Sequence, residues 1–139
     1  MIVNLVLDGN MHITATESNG HKTYFDTVPE VGGENKAAAP MTVMLQAMAA
    51  CSMMDVAAIL RKKRKTITEL KMEVEGFRAD KHPKVYTKVH LKYTLVSPDA
   101  EQKDLDRSIE LSQNTYCGAS AMFKQSGCEV TSEGILINH

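Results

Sequence analysis

From Pro40 onward, apolar residues recur at three- and four-residue spacing: Met41, Leu45 and Met48, then Ser52, Val56 and Ile59. The opposite face is also mostly small or apolar, so the pattern predicts a buried central helix from about Pro40 to Lys65. After it the period changes to two. Leu70, Met72 and Val74 alternate with Lys71, Glu73 and Glu75, and Val85 to Leu95 alternates likewise against Lys88, His90 and Lys92. Each reads as a strand with one wet face, and His82-Pro83 marks the turn region between them.

Residues 1–28 read as short strands joined by tight turns. Ile2 to Leu7 is apolar, Asp8-Gly9-Asn10 is a turn, and Asn19-Gly20 is a hairpin signal before Lys22 to Val28. Val31 to Lys36 is a loop, and Pro40 suits the first helical turn. Pro98 opens a polar helix with Leu105, Ile109 and Ser112 on one side. Asn114 or Thr115 can cap a last short helix carrying Cys117, Ala121 and Met122, which Gly127 ends. Cys128 to Thr131 and Ile135 to Ile137 are expected to close the chain as a hairpin across Glu133-Gly134. The order predicts an α+β fold over one domain, residues 1–139.

Composition narrows the function classes. With 43% hydrophobic and 24% charged residues the chain is an ordinary globular one, and a net charge of −1 argues against nucleic acid as a partner. The apolar stretch is broken by Thr42, Gln46, Ser52 and Asp55, so it is read as a core helix rather than a membrane span. The start has no basic run before its apolar residues, so a cytoplasmic location is expected. There a working cysteine pair is more often catalytic or redox-sensing than structural. The five histidines form no close pair with each other or with a cysteine, and no metal site or cofactor motif is read.

The candidate chemistry lies in Cys51 and Cys117. Taken alone, Cys51 on a buried helix reads as a small hydrophobe. Cys117 follows a polar, capping-prone run, in the first turn of its helix, where the helix dipole favours a thiolate. Cys128 reads as core. Five methionines within residues 41–54 read as core too, although they would also suit a flexible apolar ligand. The basic run Arg61 to Lys65 complements the helix dipole at its C-terminus.

Pro40-Met41, then Ala49-Ala50-Cys51, Asp55-Val56 and Ile59 to Arg64, resembles the central helix of the OsmC/Ohr family. Tyr116 to Ser120, followed by Gly127 to Val130, resembles that family's second-cysteine segment, and the 66-residue spacing from Cys51 to Cys117 agrees. The resemblance implies an OsmC-like fold in an intertwined homodimer and a thiol-dependent peroxidase acting on organic hydroperoxides. Cys51 would be the peroxidatic thiolate and Cys117 the resolving thiol. A dithiol, of lipoyl type in the family's best-known members, would restore the pair.

One departure stands out. The family places a glutamate soon after the helix proline and an arginine in the N-terminal strands. Here Met41 and Thr42 follow the proline, and no arginine precedes Arg61. Glu34, Arg61, Arg78 and Arg107 are the candidate substitutes. Asp55, one turn beyond Cys51, would oppose ionisation. The competing reading is a redox-sensitive or apolar-ligand-binding module of the same fold without efficient turnover.

Overall fold

The Asn19-Gly20 turn, with Gly20 at φ 87°, organises the first sheet in the computed structural model, which describes all 139 residues. β1 (Val3–Leu7), β2 (Ile13–Glu17) and β3 (Lys22–Phe25) form an antiparallel sheet in that order. Beyond β3, buried Asp26 gathers the loop by accepting the backbone N–H groups of Thr27, Glu34 and Lys36 at 2.8–3.3 Å. Those bonds hold its carboxyl below the ordinary carboxylate value. β3 ends at Phe25, three residues short of the expected Val28, and a 3-10 turn, Pro29–Val31, follows.

These elements belong to one compact unit, Met1–Met44; a second comprises Leu45–His139. α1 (Pro40–Lys62) begins in the first and runs through the second. It stops three residues short of expectation because Arg64 adopts a left-handed φ of 60°. By length and composition this helix is apolar enough to cross a bilayer, its polar breaks notwithstanding. In the second unit, however, it lays a stripe of Met48, Ala49, Ser52, Val56 and Leu60 into a buried core. On the remaining face Ala50 and Met54 are exposed within one chain, and Cys51, Met53, Ala57 and Ile59 are half-buried.

The second unit is built on β4 (Glu69–Arg78), β5 (Tyr86–Val96) and, after the helices, β6 (Glu129–Ile137), with β5 in the middle. The alternation read in β5 is the reason: Val89, Leu91, Tyr93 and Leu95 are all 0% exposed and face the core. α2 (Gln102–Leu111) contributes Leu105 and Ile109 to that core, and α3 (Gly118–Gln125) contributes Phe123. Lys63 and Lys65, from the basic run after α1, reach Asp104 in α2 at 3.6 and 3.5 Å.

The expected C-terminal hairpin is not formed. Glu129 to Ile137 is one continuous strand, paired in parallel with β5 from Lys88↔Glu129 to Val96↔Ile137. Glu133-Gly134 resembles a turn because of its glycine, but Gly134 serves close packing instead. A Cβ there would lie 2.7 Å from Ile109 Cδ1 and 3.0 Å from Leu105 Cγ. Gly134→Ala should therefore push α2 off β6 and cost about 1–3 kcal/mol. A urea midpoint unchanged from wild type would show that α2 is not seated as described.

Candidate active site

Cys51 projects from the middle of α1 and is partly exposed, whereas Cys117 is buried, at 3% exposure, and stands at the N-cap of α3. The expectation that Asn114 or Thr115 caps this helix is corrected. Ser112–Tyr116 forms a π-helical turn directly after α2, closed by the Cys117 N–H on Ser112 O at 2.8 Å. Widened turns of this kind are frequent at functional sites. The sulfur of Cys117 then does the capping, accepting the Ser120 N–H at 3.3 Å.

The two thiols are neighbours, near enough that Cys117 acts on the ionisation of Cys51, and both are free. The start of α3 serves both sulfurs: the Ser120 N–H bonds Cys117, and the Ala119 N–H favours the Cys51 thiolate. Burial pushes the Cys51 thiol above its ordinary pKa, and the neighbouring Cys117 thiol and the charge of Asp55 push the same way. The Ala119 N–H opposes them by bonding the thiolate form.

None of the candidate substitutes for the family arginine and glutamate acts on Cys51 within the chain. Arg78 Nε donates to Lys84 O at 2.8 Å, Arg107 pairs with Glu110 at 3.0 Å, and Arg61 is exposed in the last turn of α1. Glu34, in the first unit, pairs with Lys36 at 2.8 Å. Asp55 does reach the site, in the direction expected of its charge. Cys128 lies apart, buried by the core and donating to Glu129 O.

Sequence reasoning missed a polar network behind the thiols. Ser52 Oγ bonds the Tyr93 hydroxyl and, at 2.7 Å, Ser112 Oγ, which donates to Asp55 Oδ2 at 3.0 Å. Gln113 Nε2 donates to Ser52 Oγ at 3.0 Å, to Tyr93 Oη at 3.3 Å and to Ser120 Oγ at 3.1 Å. Burial raises the Tyr93 pKa, so its phenol keeps its proton and donates it. The signal in the sequence was Ser52, a polar residue inside the apolar stripe of α1. Beside the network a cleft of about 680 Å³ is lined by Asp55, Ala58, Ile59, Lys62, Leu111 and Tyr116. It follows the α1 face one turn beyond Cys51.

A family model described as OsmC-like protein matches residues 33–133. Protein YhfA of Escherichia coli K12 is 26% identical over 109 residues, 78% of each chain. The crystal structure of a hypothetical protein from Aquifex aeolicus VF5 superposes with a TM-score of 0.81 at 31% identity, covering 98% of this chain and 96% of that one. A more distant crystal structure, of an organic hydroperoxide resistance protein OsmC from Legionella pneumophila, shares the fold. Its TM-score is 0.66 at 16% identity, over 98% of this chain and 96% of that one.

The electrostatics make a directional prediction. In a Cys117→Ser, Cys128→Ser background, thiolate absorbance of Cys51 should titrate above the ordinary thiol range. Asp55→Asn should move the midpoint down, because it removes a charge that opposes the thiolate. A midpoint that ignores Asp55→Asn would mean the carboxylate does not act on the sulfur.

Proposed function

The chain belongs to the OsmC-like protein family, and on that premise we propose that it is a dithiol peroxidase reducing organic hydroperoxides. The observation that carries this reading is the nearness of Cys51 and Cys117, thiols 66 residues apart in sequence, with Cys117 acting on the ionisation of Cys51. Exposure supports the division of roles. Cys51, the more exposed sulfur, would meet the substrate, and buried Cys117 would resolve. The Legionella protein of the same fold is named for organic hydroperoxide resistance, which supports the choice of substrate class.

In the first step the ionised fraction of Cys51 attacks one oxygen of the hydroperoxide. The O–O bond breaks, Cys51 becomes a sulfenic acid, and the leaving alkoxide takes a proton to become the alcohol. Cys117 then attacks the Cys51 sulfur, the S–O bond breaks, and hydroxide leaves as water, giving the Cys51–Cys117 disulfide. A dithiol donor attacks the disulfide, forms a mixed disulfide and closes its own ring, returning both thiols. The cleft beside Asp55 and Tyr116, with Ala58, Ile59 and Leu111 in its wall, suits the apolar part of such a substrate. A cytoplasmic setting, where dithiol donors are kept reduced, fits this cycle.

A homodimer belongs to the same reading. Val3, Leu5, Val6 and Leu7 of β1 are each 55–63% exposed, and Ala50 and Met54 lie open on the central helix. So much open apolar surface on one chain favours a covering subunit. Sedimentation at micromolar concentration should show a dimer, and a stable folded monomer would overturn this part.

One observation favours the second reading, a redox-sensing or ligand-binding module without efficient turnover. Burial and Asp55 hold the Cys51 thiol high, with no cation of the same chain to offset them. Free-thiol titration decides. One equivalent of cumene hydroperoxide should remove two of the three thiols per chain, and Cys51→Ser should leave its two thiols untouched. Three thiols surviving in wild type would move the assignment to the binding module.

A further inference from the structure

We propose that Gln113 is the positioning residue that sets Cys117 against Cys51, through an amide that ties Ser52 to Ser120. The proposal rests on the dithiol reading above. Ser52 directly follows Cys51 on α1, and Ser120 lies in the first turn of α3, with its N–H on Cys117 Sγ. The Gln113 Nε2 group spans them, at 3.0 Å from one hydroxyl and 3.1 Å from the other, with Tyr93 Oη also in reach at 3.3 Å. One side chain thus couples the helix carrying the first sulfur to the turn carrying the second.

The chemistry requires a donor at this position. Asp55 only accepts, so the Ser112 proton goes to it and the Ser52 proton goes to Ser112. The Tyr93 proton goes to Ser52. With those protons committed, the lone pairs left on Ser52 and Tyr93 need an N–H, which an amide supplies and a carboxylate does not. The amide holds this posture although its Oε1 is buried without a partner. Turning it over would set its oxygen against Ser52 and Tyr93, whose protons are already used. Its backbone is pinned as well, by Lys124 Nζ on Gln113 O at 2.6 Å.

The test separates positioning from chemistry by reading the disulfide equilibrium without peroxide. Wild type, Gln113→Leu and Gln113→Glu, all carrying Cys128→Ser, are equilibrated in reduced and oxidised dithiothreitol, and the Cys51–Cys117 disulfide is quantified by mass spectrometry. Both variants should shift the equilibrium toward the dithiol by about tenfold or more. After hydroperoxide they should also accumulate Cys51 sulfenic acid that dimedone traps. In a Cys117→Ser background neither variant should change the iodoacetamide rate at Cys51 by more than about twofold, because pairing and not intrinsic thiol reactivity is what Gln113 sets. A wild-type equilibrium in both folded variants overturns the proposal and leaves the dithiol reading standing. An equal loss of pairing and of Cys51 alkylation overturns it in favour of a merely structural role. If Gln113→Leu does not fold, Gln113→Glu, close in size and opposite in hydrogen bonding, decides alone. Wild type that forms no Cys51–Cys117 disulfide at any ratio overturns the dithiol reading, and the proposal with it.

Discussion

Hydroxyls buried in an apolar core must be hydrogen-bonded, since each one left unpaired costs about 1–3 kcal/mol. Ser52, Tyr93 and Ser112 are all fully buried, and they come from a helix, a central strand and a π-helical turn. Their mutual bonds therefore fix how α1 lies on β5 and where the chain enters α3. Everything at the thiol site follows from that fixing. Cys51 is one residue from Ser52, and Cys117 donates its N–H to the carbonyl of Ser112. A thiol pair by itself bonds too weakly to organise three elements; three hydroxyls with one carboxylate and one amide can.

How far the sequence was legible depends on the range of the forces involved. The α1 stripe and the alternation of β4 and β5 were readable because each records a local period that burial imposes. The end of α1 was misplaced by three residues because the left-handed turn falls on Arg64, with no glycine to announce it. β6 was misread as a hairpin because Gly134 resembles a turn residue. Its small size answers Leu105 and Ile109, some 25 to 29 positions earlier in the chain.

At the site, the family resemblance pointed to both cysteines but not to what surrounds them. Ser52 reaches partners 41, 60 and 61 positions away. No local pattern encodes separations of that kind. A guanidinium is the usual way to hold a thiolate, which made the arginines the natural candidates for a substitute cation. The chain instead turns the first backbone N–H groups of α3 toward both sulfurs, and a backbone group leaves no trace in residue identity.

Asp55 carries two opposed duties. As the terminal acceptor it orders the hydroxyl chain, and an acceptor-only group is what gives that chain its direction. As a charge one turn from Cys51 it disfavours the thiolate. A stronger nucleophile would follow from neutralising it, but the order that holds Ser112 and the π-helical turn would weaken at the same time. The Ala119 N–H relieves part of this conflict because it bonds the sulfur without adding a charge that would compete for Asp55. Burial and Asp55 thus hold the first sulfur mostly protonated, with its partner thiol close by. The proposed dithiol cycle would tolerate that balance, because a sulfenic acid beside a thiol condenses with it to a disulfide.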